Sequence, residues 1–349
     1  MSGGVDSAVA ALLGVRDGTA RAGLTLRLSD AEGVAPGRCC AVSDVRDARR
    51  VAAGLSLPHY VIDLRETFER TVMRPFVEAY LAGTTPVPCV ACNDVVKFDE
   101  LLQQARALGA RRVATGHYAR IEREGDGSLR LLRARDRSRD QSYFLHGLSQ
   151  EQLAAASFPL GELAKDEVRR LAREAGILVA DKPDSQEICF VPDGDVAGFV
   201  ERRAGEMGLP TQPGELRDTA GVLRGHHAGV HRFTVGQRRG LGALGAPAYV
   251  LELRAAAAEV VVGRDEDLLR REVFVERFRW VAGAPPRGTL SAAIRVRHGA
   301  REVAAVLEPQ GDSVTARLRE PVRAPAPGQY LVAYDGETCL GGGAITGAG

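Results

Sequence analysis

Residues 1–13 read MSGGVDSAVAALL, and this stretch decides the class of fold. A Ser-Gly-Gly turn runs through Val5, Asp6 and Ser7 into an apolar segment with helical spacing. Glycines let backbone amides approach a phosphate closely, and a helix that follows points its positive end at the anion. Asp6 and Ser7 are candidates to cap that helix. Loops of this kind normally hang from the end of a strand, and here none precedes it. Taken alone, the six residues fit a chance turn equally well.

Downstream the chain alternates. Residues 22–28 read as a strand, 43–54 as a helix, 59–64 as a strand, 66–83 and 94–109 as helices, and 111–118 as a strand ending near glycine. That alternation implies an α/β fold with a doubly wound, largely parallel sheet. A hairpin turning at Asp126-Gly127 follows, then helices near 151–156 and 165–175 and a non-helical DKPDSQEICF at 181–190. From about Thr211 the composition shifts to glycine, arginine and short alternating runs such as AYVLEL, AAIRVRH and QYLVAY. The expected division is a catalytic domain over 1–195, a small central domain over 196–270 and a C-terminal β-barrel over 271–349. No internal repeat or low-complexity linker interrupts it.

The 349 residues are 45% hydrophobic and 26% charged with a formal net charge of +1, which excludes a wholly basic nucleic-acid coat. Of 46 basic residues only Lys97, Lys165 and Lys182 are lysines. Arginine suits bidentate phosphate contact, although an arginine-rich composition alone accounts for such a bias. No apolar run is long enough for a membrane span and no secretion signal is seen, so a cytoplasmic protein is expected. Six cysteines (Cys39, Cys40, Cys89, Cys92, Cys189 and Cys339) are too few for a disulfide scaffold in a chain this size. A lone intracellular cysteine is commonly a small buried apolar side chain.

SGGVDS lacks the lysine of a GxxxxGKS/T loop and suits cleavage between the α- and β-phosphates. It resembles the loop of the PP-loop ATP pyrophosphatases. VPCVACNDVVKF (87–98), ATGHYAR (114–120), RDQSYFLHGLS (139–149), DSQEICFV (184–191), HRFTVGQRRGLG (231–242) and CLGGG (339–343) follow in one order over nearly the whole chain. Together they look like the tRNA-specific 2-thiouridylase family. The resemblance implies ATP, with Mg²⁺, held by Ser2, Gly3, Gly4, Val5, Asp6 and Ser7, and adenosine against Leu26 and Gly116. For Leu26 a plain core-strand role fits as well. It implies a persulfide on Cys189, a nucleophilic Cys92 and a Cys92–Cys189 disulfide after sulfur release. It implies tRNA contacts at Val87, Pro88, Cys89, His117, Arg139, Asp140, Gln141, Arg297, His298 and Gln329. A structural histidine at 117 and a solvated arginine face over 133–139 are the plainer alternatives. A sulfur-relay protein or cysteine desulfurase would donate the persulfide, and the chain would act as a monomer.

Two features depart from the family pattern. Val87-Pro88-Cys89 stands where Asn-Pro-Asp is usual, which removes a candidate proton acceptor. Cys89, Cys92 and Cys189 then make three thiols, the number that holds a 4Fe-4S cluster with one iron open. Persulfide transfer and such a cluster both stay open at this point, and no other metal site is indicated. Family members also place an apolar strand directly before the loop, so the functional start codon is expected upstream of Met1. Competing readings are a PP-loop ligase or amidotransferase that uses ammonia, and an RNA-binding protein without ATP chemistry.

Overall fold

Strand and helix alternate from the start, as the hydrophobic pattern requires. The computed structural model describes residues 1–29, 42–184, 188–191, 194–242 and 247–349. Helix α1 (Val5–Arg16) leads to β1 (Gly23–Arg27), α2 (Val42–Gly54) and β2 (His59–Asp63), with β1 and β2 parallel. Two helical runs, 65–81 and 88–107, precede β3 (Val113–Ala114). The hairpin β4 (Ala119–Arg123) and β5 (Leu129–Arg133) comes next, and β6 (Ala156–Ser157) pairs in parallel with β3. Among the described residues of the N-terminal part the parallel strands form two ribbons, β1–β2 and β3–β6, that border one cleft. Met1 lies beside β1, its amino group donating to the Leu24 carbonyl and its carbonyl accepting from Thr25 Oγ1 at 2.7 Å.

Helix α3 (Lys165–Glu174) covers α1. Val5, Val9 and Leu12 are buried against Val168 and Ala172 in one apolar cluster. Burying each such side chain contributes about 1.5–3 kcal/mol, so the loop at the start of α1 is mounted on a firm helix pair. Helix α4 (Val196–Glu206) was not foreseen. Gly198 and Gly205 weaken its helical signature, yet Asp195 caps it by accepting from the Gly198 amide at 2.9 Å. The expected strand over 111–118 shortens to Val113–Ala114, because Thr115, His117 and Tyr118 turn to polar partners in the cleft. The helix expected from Asp94 begins at Pro88 and is π-helical over Cys92–Glu100.

The central sheet runs β8 (Leu223–His227), β7 (Gly214–Asp218), β10 (Glu259–Gly263), β9 (Tyr249–Arg254). C-terminal to it, six strands close into a barrel: β11 (Leu269–Trp280), β14 (Ser313–Arg323), β13 (Val303–Gln310), β12 (Leu290–Arg295), β15 (Tyr330–Asp335) and β16 (Thr338–Ala348), with β16 returning to β11. Val273, Ile294, Leu307, Leu331 and Ile345 fill its core. The N-terminal hairpin extends this sheet, β5 pairing with β16 at Leu132–Thr338 and Leu131–Cys339. This junction fixes the barrel to the α/β part through backbone hydrogen bonds. No described helix is long and apolar enough to cross a membrane.

Cys339 sits inside that junction, fully buried, and burial pushes its thiol up to about 12. It is therefore a protonated packing group. Cys339→Ala is expected to leave the rate of any cleft chemistry within about twofold and to cost about 1–2 kcal/mol of stability, read as a lower thermal midpoint. Cys39 and Cys40 lie outside the described residues.

Candidate nucleotide and thiol cleft

One cavity of about 1770 Å³ opens between the two ribbons, the 88–107 helix and the barrel. Its floor is the 2–7 loop. Gly4 precedes α1 in an extended conformation and no side chain caps the helix. The expected capping by Asp6 and Ser7 does not occur: Ser7 Oγ donates back to the Gly4 carbonyl at 3.1 Å, and Asp6 turns to other partners. The first amides of α1 are thus left for a ligand. Gly3 has φ of +74°, and a Cβ there would come within 2.5 Å of the Asp44 carbonyl oxygen.

Gly116 explains the ATGHY motif. A Cβ at this position would lie 2.7 Å from both the Asp6 carbonyl carbon and the Ser7 nitrogen, so only glycine lets the end of β3 pass against the loop. Gly116→Ala should push the loop out of place and weaken ATP binding by at least about tenfold, about 1.4 kcal/mol, measured by calorimetry. Ala114→Gly, a neighbouring change without that clash, provides the control.

Two lysines flank the loop. Lys165 Nζ donates to Asp6 at 2.7 and 2.8 Å and to Asp184 at 2.7 Å, and Tyr118 Oη donates to Asp6 at 2.8 Å. Burial and the Asp6 carboxylate together raise the Tyr118 phenol well above its ordinary range. Lys182 Nζ donates to the Gly3 carbonyl at 3.1 Å, to Asp44 at 2.7 Å and to Asp47 at 2.8 Å. Burial pulls the Lys182 ammonium down, but hydrogen bonds to Asp44 and Asp47 outweigh it and the net shift is upward. Lys182 and Asp184 belong to the segment that leads to Cys189, so that segment is moored to both ends of the loop.

The thiols stand on the opposite wall. Cys92 opens the π-helical turn and is buried; Cys189 is half-buried, and both belong to one apolar cluster. Phe190 secures the Cys189 segment there, its ring 5.7 Å from Phe68, 5.1 Å from Phe76 and 5.4 Å from Phe199. Cys89 is exposed at the start of the same helix, after Val87 and Pro88, and all three line the cavity. No group of three or more His, Cys, Asp or Glu side chains placed to hold a metal ion occurs among the described residues, so the three thiols share a cleft without forming a ligand set.

The remaining sequence-derived positions surround the same space. His117 is half-buried between Phe98 and Phe158, with Nδ1 2.8 Å from Thr115 Oγ1 and Nε2 3.5 Å from Lys97 Nζ. Burial, then Lys97, holds its ring well below the ordinary histidine range, so it is neutral near pH 7. Arg139 pairs with Asp184 at 2.9 Å and Gln141 accepts from the Tyr118 amide at 3.0 Å. Asp140 turns its carboxylate inward to the Ala134 and Ser142 amides and so braces the loop between its neighbours. From the barrel side, His298 stacks on Phe144 at 4.5 Å beside Arg297, and Gln329 donates to the Thr85 carbonyl at 2.9 Å. Leu26 faces the cavity from β1. Gly3 alone of the sequence-derived positions does not line it.

Comparison with known proteins gives this cleft its context. Residues 1–193 match the tRNA methyl transferase HUP domain, 206–264 its PRC-barrel domain and 270–345 the aminomethyltransferase beta-barrel domain. Tested against whole proteins, the chain is 46% identical over 359 residues to the tRNA-specific 2-thiouridylase MnmA of Koribacter versatilis, covering 99% of this chain and 97% of the relative. The chain belongs to the tRNA-specific 2-thiouridylase family. The protein of that name from Solibacter usitatus is 47% identical over 99% of this chain and 97% of its own, and that of Geobacter metallireducens 46% identical over 100% and 96%.

Reading the 2-thiouridylase sequence alone misses several groups of the cleft. Lys165, Lys182, Asp184 and Tyr118 carry none of the quoted site expectations, yet each hydrogen-bonds a residue that does. For the lysines the one signal was compositional: lysine is rare in this chain, and all three line the cavity.

Proposed function

We propose that this chain catalyses ATP-dependent 2-thiolation of the wobble uridine of tRNA, of the lysine, glutamate and glutamine type, and acts as a tRNA sulfurtransferase. The observation that carries the reading is the meeting, in one cleft, of an uncapped phosphate loop with two cysteines from segments 97 residues apart in sequence. An ammonia-using ligase has no need of that thiol pair. A pure RNA binder has no need of the loop.

The C2 oxygen of uridine is a poor leaving group and is first adenylated. O2 attacks the α-phosphorus, the bond to the β-phosphate breaks, and pyrophosphate leaves into the 2–7 loop. Loop amides and the positive end of α1 stabilise the departing charge. Mg²⁺ enters bound to ATP and supplies further charge neutralisation on the phosphate oxygens. A persulfide on Cys189 then adds its terminal sulfur to C2, and AMP leaves with the C2–O electron pair. The Cys92 thiolate attacks Cys189 Sγ, which breaks the persulfide bond and leaves sulfur on C2 and a Cys92–Cys189 disulfide. A thiol reductant resets the pair. A cysteine desulfurase or sulfur-relay protein supplies the persulfide. For the base to reach this depth it must leave its stack, and His117, Arg139, Gln141, Arg297, His298 and Gln329 stand where its flanking nucleotides would pass.

Anaerobically purified protein incubated with tRNA, ATP, Mg²⁺ and a persulfide donor tests this reading. The expected result is one AMP and one pyrophosphate per 2-thiouridine formed, with negligible iron. Release of AMP without thiolated nucleoside, or with ammonia incorporated, would replace it with the amidotransferase reading. Activity that tracks iron and sulfide content would replace the persulfide route with a cluster.

A further inference from the structure

Eight described basic residues line the cleft, and all three lysines of the chain are among them. Arginine meets every other demand for a cation in this protein, so the lysines mark positions where a compact charge with three rotatable donors is wanted. Lys165 and Lys182 hold the phosphate loop through Asp6, Asp184, Asp44 and Gly3. Lys97 stands elsewhere, on the thiol wall.

Lys97 follows Cys92 by five positions in the π-helical turn, whose i to i+5 bonding puts both on one side of the helix, and both line the cavity. Its orientation is fixed from behind. Asn93 Oδ1 accepts from Nζ at 2.9 Å, and the Asn93 amide donates to the Phe144 carbonyl at 3.0 Å, which settles which end of that side chain faces the lysine. His117 lies 3.5 Å away, and burial, then the Lys97 charge, holds its ring well below the ordinary histidine range. The side chain at the helix start is the Cys89 thiol.

We propose that Lys97 reads the target uracil: its ammonium donates to O4 of the flipped base and stabilises the charge the ring gains as O2 becomes the nucleophile. The inference rests on the thiolation reading above. In the adenylation step the N3 proton passes to water, and the O2–phosphorus bond then forms as the bond to pyrophosphate breaks. The ring carries negative charge between those events, and a cation at its edge lowers the barrier. Cytosine would set its amino donor against an ammonium that has donors only, so the same contact rejects it.

The complete chain is assayed for ATP-dependent pyrophosphate release with two tRNAs that differ only in uridine or cytidine at the target position. Lys97→Gln is expected to slow release on the uridine tRNA about 100-fold and to narrow the preference over cytidine, because an amide both donates and accepts. ATP affinity without tRNA, tRNA affinity by mobility shift and the melting temperature should stay close to those of the unaltered chain. Lys97→Arg, which keeps donors only, should retain the rejection of cytidine while losing rate. A Lys97→Gln rate within about threefold of the original, or an unchanged preference for uridine, would overturn the proposal. Joint loss of ATP binding, tRNA binding and melting temperature in both variants would also overturn it, in favour of a structural role. No tRNA-dependent release by the unaltered chain would instead overturn the thiolation reading itself.

Discussion

Cys189→Ser is expected to abolish 2-thiouridine formation, by at least about a thousandfold, while ATP- and tRNA-dependent pyrophosphate release continues for one turnover. A hydroxyl carries no sulfane sulfur, whereas the loop that accepts pyrophosphate is built from residues 2–7 and their lysine partners. Cys92→Ser should give the same loss of product for a different reason. Its Cys189 can still be loaded with one sulfur atom by a persulfide donor, visible in the intact mass, but the sulfur cannot be released through a disulfide. Cys89→Ser divides the sulfur routes: persulfide transfer predicts retained activity, since Cys89 is exposed and outside the apolar cluster that holds the other two thiols. Full activity of Cys189→Ser would sink the assignment of that thiol.

Lys165→Met carries the second largest expected effect. The side chain is 7% exposed and bridges Asp6 and Asp184, themselves 30% and 18% exposed. Removing the cation leaves two carboxylates facing one another beside the phosphate loop. Breaking a buried pair costs about 3–5 kcal/mol, and the partial exposure of Asp6 reduces this to about 2–4 kcal/mol. The expected readings are a lower first thermal transition by calorimetry and a loss of ATP affinity of at least about tenfold, because Asp6 sits in the first turn of α1. Lys165→Arg should recover part of both. If Lys165→Met melts and binds ATP like the original chain, the network does not position the loop.

Much of this arrangement was legible in the amino-acid sequence, for identifiable reasons. β1, α2 and β2 announce themselves by alternating period, and the β4–β5 hairpin by its Asp-Gly turn. The barrel strands show the expected period of two. The pairing of β5 with β16 was not legible, because edge-to-edge pairing of segments some 200 residues apart leaves no local signature. Glycines hid α4, and a π-helical turn has no period distinct enough to place its start at Pro88. In the site, the loop and the two cysteines were visible as motifs. Their supports were not: Lys165 reaches Asp6 across 159 residues, and Lys97 depends on Asn93 and Phe144 for its direction.

Nucleoside mass spectrometry of bulk tRNA from a strain lacking the gene tests the central claim most directly. The account predicts loss of 2-thiouridine at the wobble position of the lysine, glutamate and glutamine tRNAs, restored by the intact gene and not by one encoding Cys189→Ser. Unchanged wobble 2-thiouridine in the deletion strain would contradict it.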